Sequence, residues 1–520
     1  MPQMRRSAVI YVLQMRTPPN EALFLRIMSR PPPAMPSALL DALTRAGAFF
    51  RRRERACYVV GGLLRDQLLG RAPRAWNADL AVPNGALTLS RELAALLGGA
   101  FVPLDEAAGS ARVVVKSPDI RVELDISDFR GATIEEDLAR RDFTVNAIAV
   151  RLEDWLREPQ RPAPLLDPLD GQGALARRAL VACFPRAFED DPARILRAFR
   201  FVAQLAFTLD PSSEPLIRGA VARLPQVSGE RLRDELLAIF ETDRAAPAVR
   251  ALNELGVLDA LIPELSPGRG LEQGAVHHLD VLGHQLETVA QADRFLADFA
   301  EFSAPLREPL ARYCAQELVE WRSRKSLIKL SGLLHDVGKP ARRTVEADGE
   351  IWFFGHEQTG AELAAGVVER LRLSNREADM VCRMVLHHLR PGFLSREPAL
   401  TRRAVYRFFK ELGDDGPACL LVWWADRMAT RGAKSRLDQL DQQRGRLEEL
   451  LNAYFFQAEE VVKPPRFVDG RQLMQAFRLQ PGPLIGKLLG AIEEAQAEGR
   501  IHTAEEALTL AREQLPQQEP

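Results

Sequence analysis

An α+β fold is expected: a small mixed sheet near the N-terminal side, followed by blocks that are almost wholly helical. Three observations predict it. Short runs rich in β-branched residues, separated by turn formers, are confined to residues 55–150. Beyond them the apolar residues recur at three- and four-residue spacing, the period of a helix with one buried face. And 520 residues, 46% of them hydrophobic and 27% charged, exceed what one core can hold, so three or four domains are expected.

Residues 1–35, closing in "RPPPAMP", read as a loosely ordered extension or a start codon placed too early. Their basic pair precedes an apolar stretch that ends at Arg16 without a small-residue cleavage site, so no signal peptide is expected. "SALLDALTRAGAFFRRR" predicts a helix, and "ACYVVGGLLRDQLLG" a strand, a Gly-Gly turn and a second helix. "ADLAV", "AFVPL", "ARVVVKS" and "RVELDISDF" predict strands, with the helix "LSRELAALLG" after the first. Together they make a head over residues 36–150. A helical neck, with "DPARILRAFRFVAQLAF", "SEPLIRGAVARL" and "GERLRDELLAIFE", follows over 151–268 and closes in "LIPELSPGRGLEQG". A second helical block covers 269–435, and a helical tail with the break "VVKPPRF" covers 436–520.

A formal charge of -2 argues against a chain coated in positive charge, so any nucleic-acid affinity must come from local patches. The five cysteines lack CxxC spacing, which predicts reduced thiols in a cytoplasmic protein and neither a zinc ribbon nor a disulfide framework. No apolar run approaches the roughly 18 residues that a membrane helix needs, so no membrane partner is expected.

Two constellations carry chemistry. In the first, Gly61 and Gly62, followed by Arg65 and Asp66, put bare backbone at a helix start where phosphate can approach. Such a turn alone is more often just close-packed. Its company is what matters: Asp79 lies on the next strand, and Glu123 and Asp125 alternate onto one face of a later one. Converging carboxylates of this kind suit magnesium, a hard cation that takes oxygen ligands and can stabilise both oxygens of an in-line displacement.

These segments, in order "VVGGLLRDQLLGR", "DLAV", "DFRGATIEEDLARRDFTVNAIAV", "LLDPLDGQGAL", "FEDDPARILRAFRF" and "SGERLRDELL", resemble the class II tRNA nucleotidyltransferase and poly(A) polymerase family over residues 55–245. The tail "LQPGPLIGKLLGAIEEAQAEGRIHTAEEAL" echoes the family's helical end. The resemblance implies that Asn77 and Asp79 occupy the family's paired metal-holding aspartates, with Asp125 as a further acidic contributor. It implies that Gly61, Gly62, Arg65, Asp66, Arg140, Arg141, Asp142 and Asn146 serve the incoming triphosphate and its ribose. Asp190, Asp191, Arg194 and Arg197 are implied on the nucleotide side of the neck, where Asp191 and Arg194 would offer a hydrogen-bonding edge to the base of CTP or ATP. The departures are Asn77, which removes one negative charge and predicts weaker metal affinity, and a segment from Gly70 to Asp79 about two residues longer than the family pattern, with Trp76 inside it.

In the second constellation, seven of the eight histidines fall within residues 270–390. His284, the adjacent His335 and Asp336, His356, the pair His387 and His388, and Asp426 lie on separate helical segments. Imidazoles and carboxylates gathered this way suit a divalent transition metal such as Mn2+, Ni2+ or Fe2+ better than magnesium. The pattern resembles the HD phosphohydrolase superfamily, which implies His284, His335, Asp336 and Asp426 as ligands and His356 with His387 or His388 at a second ion. Lys339 is placed to neutralise a phosphate.

The expected function is addition of CMP or AMP, from CTP and/or ATP, to the 3′ end of tRNA or a related RNA, slowed by Asn77. Alternatives are a metal-dependent phosphohydrolase with a catalytically weak RNA-binding head, and an RNA-binding protein with both sites silent. The resemblance tilts this toward tRNA, since a basic "RFRLAH"-like stretch associated with the family's bacterial poly(A) polymerases is absent between residues 100 and 130. The choice among CCA, CC, A and poly(A) addition stays open, as does the oligomeric state.

Overall fold

The computed structural model describes residues 35–72, 76–116, 120–159 and 164–515. The N-terminal extension, except for its last residue, and the centre of the long Gly70 to Asp79 segment lie outside the described residues. The chain divides into two compact units, with the division between Leu224 and Pro225.

In the first unit, six strands form one sheet: β1 (Tyr58–Val60), β2 (Asn77–Val82), β3 (Ala100–Asp105), β4 (Ser110–Lys116), β5 (Arg121–Asp128) and β6 (Ala149–Arg151). Their order is β3-β4-β5-β2-β1-β6. Only β2 and β5 run parallel; every other neighbouring pair is antiparallel. Alternation then sorts the side chains of the central pair. Ala78, Leu80 and Val82 of β2 and Val122, Leu124 and Ile126 of β5 are fully buried in a core shared with the helices Ser37–Arg52 and Ala86–Leu97. Trp76 packs against the same core. The opposite face carries Asn77, Asp79, Glu123 and Asp125. Part of that face is covered where Ile134 and Leu138, on the helix Ile134–Ala139, join Val60 and Ala81.

In the second unit, the helices Val281–Leu296, Arg324–Leu334, Asn375–His387 and Gly416–Ala429 pack on one another, and His356–Arg370 lies along Asn375–His387. Near the C-terminus, Gly470–Phe477, Pro483–Ala497 and Ala504–Glu513 bury their apolar stripes in a small separate cluster that includes Leu473, Leu488 and Ile492. The cysteines are all free. Among the described residues, no helix is long and apolar enough to cross a membrane.

Candidate functional site

Register builds the head's site. The parallel pairing of β2 with β5 sets Asn77 beside Glu123 and Asp79 beside Asp125, all four pointing to the same face. β1 pairs Val60 with Asp79, so the Gly-Gly turn at the end of β1 falls next to that carboxylate. Gly61 has φ +74°, and a Cβ there would come within 2.5 Å of Asp79 Oδ2. The Gly62 N–H, which the sequence suggested for phosphate, donates to the Asp79 carboxylate. The turn is bare because Asp79 occupies the space. Burial raises the Asp79 pKa, and the nearby charge of Asp125 adds to the rise.

The later acidic pair is not bare. Arg112 of β4, directly opposite Asp125, donates through Nε and Nη2 to both Asp125 oxygens at 2.7 and 2.9 Å, and its Nη1 lies 2.7 Å from Glu123. Arg121 also pairs with Glu123, at 2.8 Å. Sequence reasoning missed Arg112, since nothing in a lone arginine on a strand announces which strand it will face.

The residues of "RRDFTVNAIAV" surround Asp142, not all of them facing one ligand. Its carboxylate accepts from Arg197 Nε at 2.6 Å, from the Phe143 N–H at 2.8 Å and from the Asn146 amide at 3.2 Å. Burial alone would raise Asp142, but the charge and hydrogen bond of Arg197, with these donors, outweigh it and hold the pKa down at about 2. Arg141 is tied to Asp137 at 2.9 Å, and the charges of Arg141 and Arg197 both act on Asp79. Arg65 donates to Asp66 and to Asn146 Oδ1, at 2.9 Å for the latter, and both Arg65 and Asp66 are buried. They brace the turn from within. Arg140 reaches back to the Arg130 carbonyl at the surface. The guanidinium groups of Arg65, Arg197 and Arg200 all lie over the Phe201 ring.

On the helix Arg194–Leu205, Arg194 lies 3.8 Å from Asp191 and donates to the Ala187 carbonyl at 3.2 Å. Asp191 also accepts from the Ala193 N–H. The two side chains stand side by side, one an acceptor and one a donor. Asp190 pairs instead with Arg186 at 3.0 Å.

In the histidine block, two groups of three ligand atoms gather: His284, His335 and Asp426, and Asp336, His356 and His388. Among the described residues these are the sets whose atoms lie within 4.8 Å of one another, and the head supplies none. Asp336 bridges them, with His335 Nε2 at 3.1 Å from Oδ2 and His356 Nε2 at 3.3 Å from Oδ1. Nδ1 of His335, His356 and His388 lies 2.8, 2.8 and 2.6 Å from the carbonyls of Gly332, Phe353 and Val385. A carbonyl only accepts, so each Nδ1 carries the proton and each Nε2 turns its lone pair inward. His356 Nε2 and His388 Nε2 then face each other at 3.3 Å. Lone pairs gathered this closely with carboxylate oxygens make a mixed nitrogen and oxygen donor set that fits a divalent transition metal.

Burial lowers the pKa of His284 and takes His388 down to about 3, so both stay neutral, as ligands must. Burial works the same way on His335, but Asp336 and Asp426 outweigh it and raise its pKa. Of the adjacent histidines, His388 joins the cluster, while His387 turns to Glu411 at 3.6 Å. Lys339 Nζ, expected to meet phosphate, lies 2.6 Å from Asp336 and donates to Gln273 at 2.7 Å.

A strand and Gly-Gly turn that seat one carboxylate beside another, with arginines converging on the same face, define a nucleotidyltransferase head. Comparison with known proteins agrees. Residues 57–181 match the Poly A polymerase head domain, 206–268 the probable RNA and SrmB-binding site of polymerase A, and 281–429 the HD domain. An A-adding tRNA nucleotidyltransferase of Deinococcus radiodurans is 37% identical over 456 residues, which cover 86% of this chain and 93% of that protein. A CC-adding tRNA nucleotidyltransferase of Thermus thermophilus is 32% identical over 461 residues, covering 86% and 92%. The Thermotoga maritima CCA-adding enzyme, solved in complex with tRNA, shares the fold with a TM-score of 0.60 at 21% identity, covering 95% of this chain and 98% of that one. The chain belongs to the tRNA nucleotidyltransferase and poly(A) polymerase family and is a nucleotidyltransferase, with an HD-type helical domain following the head in sequence.

Proposed function

We propose that the protein adds CMP or AMP, taken from CTP or ATP, to the 3′ end of tRNA. The observation that carries this reading is Asp79, seated by a Gly-Gly turn and set by register beside Asp125. The terminal hydroxyl oxygen of the RNA attacks the α-phosphorus, the bond to the β-phosphate oxygen breaks, and pyrophosphate leaves. The hard oxygens of Asp79, Asp125 and the Asn77 carbonyl suit Mg2+, which when bound would stabilise the attacking and leaving oxygens. Arg141 and Arg197 supply positive charge for the triphosphate beside that face. Asp191 accepts from an exocyclic amine and Arg194 donates to ring acceptors, so protein side chains choose the base without a nucleic-acid template. Substrate and metal follow the names of the similar proteins and the chemistry of the donors.

The histidine block supports a second activity: hydrolysis of a phosphoester by water activated on a transition metal such as Mn2+, Ni2+ or Fe2+, held by His284, His335, Asp336, Asp426, His356 and His388. The inward lone pairs favour it. The test uses tRNA transcripts lacking one, two or three terminal nucleotides, each labelled triphosphate in turn, and Mg2+ or Mn2+. Extension by a defined length is expected and sets which nucleotides are added. No product with either metal would overturn the transferase reading, and release of phosphate from a 3′-phosphorylated RNA would then assign the chemistry to the histidine block.

A further inference from the structure

Arg112 spends its donors on the two carboxylates that register places next to Asn77 and Asp79. It forms a two-point pair with Asp125, at 2.7 and 2.9 Å, and reaches Glu123 at 2.7 Å. Arg121 is a second cation on Glu123, and it is more exposed. With position 77 neutral, Asp125 and Glu123 are paired with Arg112 and Arg121, while the charges of Arg141 and Arg197 act on Asp79. An incoming dication must compete with a planar guanidinium already matched to both oxygens of Asp125. A dication arriving on a triphosphate brings anionic oxygens with it and needs few from the protein.

We propose that Arg112 is a positioning residue that holds Asp125 and Glu123 in the place of a metal, so that the head takes up its dication only together with a nucleoside triphosphate. This rests on the transferase reading of the head. Arg112 then sets the order of binding. In the family's two-aspartate pattern the face would hold one more negative charge; here Asn77 and Arg112 act in the same direction, both against a metal bound alone.

The test is Mn2+ binding by the full-length protein, followed by the resonance signal of the free ion and by calorimetry, with and without CTP. The histidine block contributes to every titration, so the readout is the difference between conditions and variants. The wild-type protein is expected to take up additional Mn2+ only with CTP. Arg112→Met should gain nucleotide-free binding of one further Mn2+, at least about tenfold tighter than in the wild-type head. Arg112→Lys, which keeps the charge but not the two-point pair, should fall between the wild type and Arg112→Met. Equal Mn2+ uptake by the wild type with and without CTP overturns the proposal, even where Arg112→Met does not fold. An Arg112→Met protein with a native circular dichroism spectrum and no added Mn2+ overturns it too, as does Arg112→Lys matching Arg112→Met. Failure to extend tRNA leaves the Mn2+ count unchanged, so the two readings fail separately.

Discussion

The histidine block gathers His284, His356 and Asp426 from three helices and His335, Asp336 and His388 from the turns that end two more, five of them buried and Asp426 largely so, with three imidazoles fixed by backbone carbonyls. The head arranges its carboxylates on two parallel strands at a half-open sheet face, with arginines resting on them. One site is shaped before any ion arrives. The other keeps its charges paired off until a ligand brings its own. The difference follows from the elements: helix ends aim imidazoles into a closed interior, whereas a sheet face leaves alternate side chains open to solvent and to each other. A site that must release product every turnover suits the second arrangement.

The largest effect that would break this comparison is at the turn. Gly61→Ala brings a methyl group within 2.5 Å of Asp79 Oδ2 and strains a positive φ. Nucleotide transfer should fall by about a hundredfold or more, as a misplaced reacting group costs that much. Stability should fall by about 1–3 kcal/mol. Single-turnover extension and urea unfolding measure the two, and a wild-type rate would show that Asp79 need not sit where it does.

The histidine pair separates the two regions next. His388→Ala should weaken metal retention in the helical block by at least the roughly 10- to 100-fold that loss of an outer partner costs, whereas His387→Ala should not alter it. Metal content after dialysis reads the difference, and equal losses would contradict the cluster. In the head, Asn77→Asp restores a charge, and calorimetry should find metal binding in the presence of CTP tightened about tenfold. Unchanged binding would mean that position 77 does not reach the ion.

The last effect is in the pH dependence of stability. Burial takes His388 and His277 down to about 3 from an ordinary 6.5 and lowers His284 as well, so below pH 6.5 the unfolded chain binds protons that the folded one refuses. That stability is present above pH 6.5 and is lost as pH falls toward 3, by about 1.4 kcal/mol per unit for each such histidine. His335, with its raised pKa, runs the other way. In the head, Asp142 holds its contribution until pH falls from 3.8 toward 2. Melting curves of chelator-treated protein should therefore decline on acidification from pH 6.5, and His388→Gln should flatten the slope. An unaltered slope would contradict the assignment.

Much of this was legible in the residues. The strands were readable because β-branched runs alternate between turn formers, and Glu123 and Asp125 share one face of their strand by simple parity, though only the β2–β5 register sets Asp79 beside them. The helical spacing marked the histidine segments, and the order of motifs carried the family. What could not be read is the sheet order. Arg112 meets Asp125 only because β4 lies antiparallel on the far side of β5. Adjacent His387 and His388 differ only in helical phase at a helix end, which no pattern resolves. The inward turn of Arg65 and Asp66 depends on Asn146, 81 residues from Arg65. The turn could be read together with Asp79, but how closely that carboxylate approaches it depends on the pairing of β1 with β2.

Extension of end-trimmed tRNA by Asp79→Ala, against wild type with the same labelled triphosphate and Mg2+, tests the account most directly. Wild-type protein should lengthen the RNA while Asp79→Ala, native by circular dichroism, gives no labelled product. Extension by Asp79→Ala at the wild-type rate would contradict the placing of the chemistry on this strand.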